Sequence, residues 1–489
     1  FLPSPEHDVF RSDLTTGGTG QDTRRSQARS YVEGADVDWQ AVIATRPVHP
    51  SLVPTYPFQR QRYWVDGSPF PSSGGQPDDI YYALEWDSLD LLSLPQRQQL
   101  PATWVILADQ AGVGDHLAEQ IRQAGRQVSC FPADSSSGAT RADQAKEILS
   151  HAVSRAQGEV GLIYLWSLDG PASMDCLPDV VLEQCETVLA MAHHLRTEMH
   201  VEVRLWLGSC GALAIHAQEP IAALSSAALW GLGRCLALEL PDRWGGLIDF
   251  DPQDSTADDA KHFWGLLTRQ CAEKQVVFRG NATFVPRVLS VPPPVPGRIA
   301  VRPDATYVVS GGLGALGLRT ARWLVEKGAR NLVLFGRRGP HENSGKALAD
   351  LAERGAFILT LAADVTDPHD MQVLFQRIAA ELPPVRGIFH AAGLPGVSPL
   401  AELSAQMLRT VMAPKVAGAL NLDEIARHLD LDFFVLYASI ASLWGSRGQV
   451  HYAAANSFLD ALASKRRADH LPATSVSWGP WDEGGMVTD

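Results

Sequence analysis

Residues Phe433 to Lys465 read FFVLYASIASLWGSRGQVHYAAANSFLDALASK. The apolar, β-rich run from Phe433 to Tyr437 reads as a buried strand ending at Ser439. Ser446, Arg447 and Gly448 mark a loop, and from Tyr452 an Ala-rich segment with apolar residues at helical spacing reads as a helix. A hydroxyl is thus placed at the C-terminal edge of a strand and a phenol on the first turn of the next helix, where the two oxygens can converge on one small polar group. In open α/β sheets that edge is where ligands bind. Taken alone, Ser439 reads as a turn residue and Tyr452 as an amphipathic core residue, so the rest of the chain has to decide.

Upstream of this stretch, strand and helix alternate. Thr306 to Ser310 reads as strand, Leu316 to Lys327 as helix, Asn331 to Phe335 as strand, Gly345 to Arg354 as helix, and Phe357 to Ala362 and Val385 to His390 as strands. Helices follow around Ser404 and Lys415, and Thr474 to Trp478 is a final strand before an irregular end. The same alternation occupies the preceding part, with strands at Ile80 to Trp86, Trp104 to Ala108, Leu162 to Trp166, Val203 to Gly208 and Gly246 to Phe250. Helices run through Ile121 and from Ile221 to Leu240, and Val276 to Arg279 and Thr283 to Val288 are closing strands. The pattern predicts an α/β chain of two tandem Rossmann-like, doubly wound parallel sheets. Boundaries fall at the Pro, Gly and Ser-rich Ser68 to Asp79 and at Val291 to Gly297, VPPPVPG. Residues 1–78, 79–297 and 298–489 are therefore three expected units, in keeping with about one domain per hundred to two hundred residues.

The two sheets read as a diverged repeat. The run from Trp104 to Gly114 parallels that from Tyr307 to Gly314, and Leu205 to Leu213 parallels Phe434 to Leu443. The helix Ala227 to Leu240 carries Trp230 near where its counterpart carries Tyr452, and it contains no Lys. The first copy keeps the fold and lacks the polar groups, which makes it a structural partner, although a bound ligand there stays open.

Ser310-Gly311-Gly312-Leu313-Gly314-Ala315-Leu316-Gly317 follows a strand and opens a helix. In that context a Gly-rich turn lets backbone approach a pyrophosphate at the helix N-terminus. Gly311, Gly314 and Gly317, with Leu316 between them, resemble the glycine pattern of short-chain dehydrogenases. After the next strand come Arg337 and Arg338, where a fold selective for NAD would place Asp or Glu, so NADPH is the expected cofactor. Asp364 and Val365 follow the third strand, placed to meet the adenine, and Ala391, Ala392 and Gly393 after the fourth form a small-residue floor beside the nicotinamide ribose. Hydride addition to a ketone develops negative charge on oxygen and needs a hydrogen-bond donor and a proton source. Tyr452 can give the proton and Ser439 can hold the carbonyl oxygen. Lys415, in the helix entered at Met412-Ala413-Pro414, can stabilise the phenolate, and Asn456, one turn after Tyr452 on the same face, can order a water or the lysine.

Composition excludes other classes. A net charge of −14 argues against nucleic-acid binding. A hydrophobic content of 45% is ample for buried cores, yet no apolar run approaches the roughly twenty residues of a membrane span. Six cysteines, with no CxxC pair and no His cluster at metal spacing, read as buried thiols in a reducing cytoplasm and predict no metal site. A first residue of Phe without a signal peptide points to a start inside a longer polypeptide.

Residues 1–78 have too few periodic apolar positions for a core and read as a strap over neighbouring domains. Their string Val53 to Trp64, VPTYPFQRQRYW, sets two aromatic clusters around an Arg pair. It closely resembles the linker that follows the acyltransferase of modular type I polyketide synthases. KVAGALNL from Lys415, the Ser439 to Tyr452 spacing and YAAAN from Tyr452 resemble the ketoreductases of those synthases, in which the catalytic Lys and Asn are exchanged relative to the YxxxK of ordinary short-chain dehydrogenases. Lys415, Ser439, Tyr452 and Asn456 match the four family positions, while Ser310 and Ala438 stand where Thr and Ser are more usual.

The resemblance implies the end of an acyltransferase and its linker, a structural subdomain, and a catalytic subdomain whose C-terminal lid, helices and last strand are missing. It implies a β-ketoacyl substrate tethered by phosphopantetheine to an acyl carrier protein, with acyltransferase and ketosynthase domains as neighbours. The gaps before Tyr81 and before Thr306 leave no room for a dehydratase or an enoylreductase, so the product would stop at the β-hydroxyl unless other proteins act in trans. After HAAG, Leu394-Pro395-Gly396-Val397 lacks the Leu-Asp-Asp of the D-hydroxyl type. Trp444 lies eight residues before Tyr452, as in the L-hydroxyl type, and Gln449 replaces the His associated with epimerisation. An A-type, non-epimerising enzyme is expected. The competing readings are a redox-silent or epimerising domain and a docking scaffold.

Overall fold

The uninterrupted apolar runs become strands covered on both faces. A computed structural model describes residues 81–481 other than 137, 155–157, 172, 198–200, 217, 293–300 and 341. The expected strap, the Pro-rich boundary beyond Pro292 and the irregular end after Trp481 lie outside the described residues.

The first sheet contains β1 (Tyr82–Ser88), β2 (Thr103–Ala108), β3 (Gln127–Pro132), β4 (Val160–Tyr164), β5 (Val203–Cys210), β6 (Trp244–Phe250), β7 (Gln275–Arg279) and β8 (Ala282–Ser290). Its order is β1-β8-β7-β6-β5-β4-β2-β3. Helices α1 (Val113–Gln123), α2 (Arg141–Ser154), α3 (Leu177–Thr197), α4 (Ala227–Glu239) and α5 (Thr256–Leu267) connect the parallel part. The sheet is not parallel throughout, as the alternation suggested. Only Gly280 and Asn281 separate β7 from β8, too short a link for a crossover, so β8 turns back antiparallel, and β1 pairs antiparallel with it. Gly280 takes φ +52° in that turn.

The second sheet contains β9 (Thr306–Ser310), β10 (Asn331–Gly336), β11 (Phe357–Ala362), β12 (Val385–His390), β13 (Phe433–Ser439) and β14 (Thr474–Trp478), all parallel in the order β11-β10-β9-β12-β13-β14. This is the doubly wound order whose direction reverses between its first and fourth strands, here β9 and β12. The helices are α6 (Ala315–Glu326), α7 (Glu342–Glu353), α8 (Pro368–Glu381), α9 (Ala405–Ala426), α10 (Ala441–Trp444) and α11 (Val450–Ala468).

Four readings are corrected. The helices expected around Ser404 and Lys415 are one helix, α9, capped by the Ser404 hydroxyl, with Pro414 in its interior rather than at its entry. Burial of Met412, Lys415, Val416 and Ala419 holds that helix across the hydrogen bond the proline removes. The helix expected from Ile221 begins only at Ala227, because the amides of Ala222 and Ala223 are already donated to the Gly211 carbonyl. The strand expected from Leu162 to Trp166 starts at Val160 and stops at Tyr164, where Trp166–Leu168 turn into a short 3-10 segment. The cysteines are free but not uniformly buried: Cys185 and Cys235 are, whereas Cys176 is exposed.

Both sheets belong to one compact unit and share a hydrophobic core in which Trp230 meets the residues of α11. Helices α4 and α11 pack so closely that a Cβ on Gly231 would stand 2.1 Å from the Ala453 carbonyl oxygen. Replacing Gly231 by Ala is therefore expected to cost at least about 1–3 kcal/mol, since backbone must move. Gly265, inside α5 with nothing within 4 Å of its Cβ position, is the control, and its change to Ala should gain about 0.5–1 kcal/mol. Denaturant unfolding of the two variants, if equal, would refute the close-packing account.

Candidate active site

Each element delivers one part of the site to the point where the second sheet reverses direction. The turn after β9 enters α6 through Gly311, Gly314 and Gly317. Gly311 has φ +65°, and a Cβ there would lie 2.8 Å from the backbone of Ala392. A Cβ on Gly317 would lie 2.3 Å from the Gly311 carbonyl oxygen. Both positions require glycine, and the backbone they leave bare forms one wall of a cleft of about 480 Å³.

Gly311, Gly314, Leu316 and Gly317 line this cleft, as do Arg337, Asp364, Val365, Ala391, Ala392, Gly393 and Pro395. Every cofactor residue expected from the sequence lines this cleft except Arg338, which is exposed and does not. The Asp364 carboxylate is occupied locally, accepting from the amide and hydroxyl of Thr366. The small, glycine-bared wall and the single cationic side chain at the far end fit an extended dinucleotide phosphate.

Sequence reasoning missed His390, the last residue of β12, and its two partners. Its Nε2 donates to the Pro414 carbonyl oxygen at 3.0 Å, so its Nδ1 accepts from the Ser310 hydroxyl at 2.7 Å. The imidazole ties the glycine turn to the helix that carries Lys415. Burial, followed by the Lys415 charge, lowers its pKa to about 3.

Ser439, Tyr452, Lys415 and Asn456 come together next to the cleft rather than on its lining, joined to it by Pro414. Tyr452, on the first turn of α11, is pushed up in pKa by burial and pulled back by the side chains of Ser439 and Asn456. Lys415 is buried on α9, donates from Nζ to the Tyr437 carbonyl oxygen at 2.6 Å, and stands 5.8 Å from the centre of the Tyr452 ring. Burial lowers its pKa to about 8, against an opposing pull from Asp460. Asn456 is buried, and its amide nitrogen donates to the Tyr452 carbonyl oxygen at 2.6 Å.

Asp460, one turn beyond Asn456, was also missed. Its carboxylate accepts from the hydroxyls of Ser442 and Ser475 at 2.7 and 2.6 Å. Burial raises its pKa, while Arg234 and Lys415 are the charges that oppose this. A carboxylate one turn beyond the YAAAN motif was the available signal.

The residues assigned to stereocontrol diverge. Pro395 borders the cleft, and Gly396 lies under His451, whose Nε2 would be 2.7 Å from a Cβ there. Gln449 precedes α11 at its N-cap position, and Trp444 is 55% exposed at the end of α10.

The equivalent turn of the first sheet is built differently. The Asp109 carboxylate accepts from the amides of Gly112, Val113 and Gly114 at 2.7, 3.1 and 2.8 Å. The chain's own anion occupies that helix N-terminus.

Residues 305–483 match the KR domain family, and residues 86–288 match the Rossmann fold domain of the polyketide synthase extender module SpnB. A solved structure of A-type ketoreductases from a modular polyketide synthase is 33% identical, with a TM-score of 0.71, over 84% of this chain and 85% of that one. The chain belongs to the ketoreductases of modular polyketide synthases. A structure of an A1-type ketoreductase is 32% identical, again with a TM-score of 0.71, over 84% of this chain and 85% of the other. The polyketide synthase GfsA of Streptomyces halstedii is 35% identical over 95% of this ketoreductase, which spans 6% of the length of that protein.

The buried histidines should make this ketoreductase acid-sensitive. Folding lowers the pKa of His390 from 6.5 to about 3 and that of His451 to about 4, both through burial. The unfolded chain therefore takes up these protons first. The stability they allow is full above about pH 6.5 and is lost as pH falls towards the folded values, by up to about 1.4 kcal/mol per pH unit for each histidine. Denaturant unfolding between pH 7 and 4 should show a shallower loss in His390→Asn than in the parent; equal slopes would contradict this.

Proposed function

We propose that this chain reduces the β-keto group of an acyl chain carried by phosphopantetheine on an acyl carrier protein, with NADPH as reductant, and leaves an L-hydroxyl. The observation that carries the reading is the meeting of Tyr452, Ser439 and Lys415 beside a cleft walled by bare glycine backbone. When bound in that cleft, a nicotinamide cofactor supplies the hydride. Ser439 and Tyr452 then donate hydrogen bonds to the ketone oxygen, and Tyr452 gives up its proton as charge develops. The raised pKa of the phenol keeps it protonated until that moment, and the Lys415 cation stabilises the phenolate left behind. Asn456 holds the first turns of α11 through its bond to the Tyr452 carbonyl. Arg337 pairs with the additional phosphate of NADPH.

In this reading residues 298–489 form the catalytic subdomain and 79–297 a cofactor-free structural one. The Asp109 cap favours that division by filling the anion position of the first sheet. Residues 1–78 belong to the acyltransferase end and its linker, with acyltransferase and ketosynthase domains as neighbours in a cytoplasmic synthase. Trp444, Gln449, Pro395 and Gly396 set the A-type outcome, a reading supported by the likeness to A-type and A1-type ketoreductases.

Tyr452→Phe should lower kcat by about 10²–10⁴-fold in a β-ketoacyl thioester assay, with the fold retained; near-parental turnover would exclude the phenol as the acid. Because Lys415 must be charged and loses its proton as pH rises through about 8, kcat/KM for reduction should fall above that pH. A flat profile to pH 9.5 would contradict the role. Arg337→Ala should raise KM for NADPH about tenfold or more and leave KM for NADH near its starting value. Equal effects on the two cofactors would remove Arg337 from phosphate recognition.

A further inference from the structure

The turn between Ser439 and Tyr452 is held from outside its own sheet. Helix α4, in the first half, presents Gly231, Arg234, Cys235 and Glu239 at spacings of three and four, hence on one face. Each meets a different point of the segment that follows Ser439. The Arg234 guanidinium donates to the Ser442 carbonyl oxygen. Gly445, at φ +79°, lies where a Cβ would be 2.6 Å from the Arg234 carbonyl oxygen. The Ser446 amide donates to the Cys235 Sγ at 3.3 Å, and the Gly448 amide donates to the Glu239 carboxylate at 2.6 Å. Gly231 then abuts Ala453, directly after Tyr452.

The grip reaches the reacting groups through short paths. Ser442, whose carbonyl Arg234 holds, has its hydroxyl oxygen 2.8 Å from the Ser439 carbonyl oxygen and 2.7 Å from the Asp460 carboxylate, two acceptors that share its one proton. Gly448, whose amide Glu239 holds, accepts from the Ser398 amide at 2.7 Å and so ties in the loop of Pro395 and Gly396. Gln449 and α11 follow immediately. A displacement at Glu239 would thus move Tyr452, Trp444 and the Pro395 loop relative to Ser439.

We propose that Arg234 and Glu239 of the first half are positioning residues for ketone reduction, setting the spacing of Ser439 and Tyr452 and the face on which the ketone is presented. This rests on the reading of Ser439 and Tyr452 as donors to the ketone. The first half then has a role in stereochemical outcome besides packing.

Glu239 is the better target, being only partly buried, whereas Arg234 is enclosed. E239A removes the acceptor for the Gly448 amide, and E239Q keeps a carbonyl acceptor in the same place while losing the charge. Both are compared with the parent in reduction of a racemic 2-methyl-3-ketoacyl N-acetylcysteamine thioester with chiral analysis, in NADPH affinity, and in amide hydrogen exchange over residues 440–449. E239A should bind NADPH within about twofold of the parent, lose about tenfold or more in kcat, erode the product ratio and exchange faster over that segment, since small misplacements of reacting groups cost about 10²-fold. E239Q should recover most of the ratio. An E239A that keeps the parental ratio, or one whose segment exchanges as slowly as in the parent, overturns the proposal. A parent that gave the D-alcohol would sink the A-type reading and leave this comparison intact.

Discussion

Helices α4 and α11 approach until glycine is the only residue that fits at position 231, facing the Ala453 carbonyl. Interiors packed to crystal density transmit displacement instead of absorbing it, so a contact between two helix backbones acts as a fixed point. Helix α11 carries Tyr452, Asn456 and Asp460 on successive turns, and its orientation against β13 decides where the phenol stands relative to Ser439. The small residues Ala453, Ala454 and Ala455 make the approach possible, and Trp230, next to Gly231, fills the volume they leave. Helix α11 is accordingly docked by the other half of the chain, through α4.

A buried polar chain lies along the same seam. Arg234, Asp460 and Lys415 alternate in sign, and all three are buried. Burial lowers the pKa of Arg234 to about 10 and that of Lys415 to about 8, and raises that of Asp460. Burial works against the charge of each group, and as a set each favours the charged form of its neighbour. Two serine hydroxyls on Asp460 and the Tyr437 carbonyl at Lys415 complete the solvation that water would have given. Such a network contributes little net stability. What it gives is a lysine, 5.8 Å from the centre of the Tyr452 ring, whose charge is sensitive to its surroundings.

What could be read in the sequence followed from how local its cause was. Strands β9, β11, β12 and β14 were legible to the residue because their apolar runs are flanked by turn residues. The glycine turn was legible because a left-handed backbone at Gly311 and a close backbone approach at Gly317 both demand glycine. Lys415, Ser439, Tyr452 and Asn456 were found by motif and spacing, and the structure brings them together. Edge strand β3 was missed because exposed Gln127 and Ser129 and half-buried Cys130 break the apolar pattern. The antiparallel return of β8 depended on a two-residue link, and the unity of α9 on burial strong enough to carry Pro414. His390, Arg234 and Asp460 derive their importance from partners fifteen to more than two hundred residues away, which only the fold brings to them.

The two sheets show which part of a dinucleotide fold is structural and which is chemical. Both keep the strand order around the point of reversal, because that order is what lets the helices cover both faces. At the helix N-terminus they part. In the first sheet the amides of Gly112 to Gly114 are satisfied by Asp109, and the Trp230 indole donates to Ser209 on β5, the strand whose counterpart in the second sheet ends at Ser439. In the second sheet, glycines leave the backbone bare, and the polar bonds run sideways, from Ser310 through His390 to Pro414. One aspartate and one tryptophan thus complete the first sheet internally. With its helix N-terminus filled from within, the first sheet turns its α4 face to the other half of the chain, where Arg234, Cys235 and Glu239 hold the Ser442 to Gly448 turn that leads from Ser439 to Tyr452.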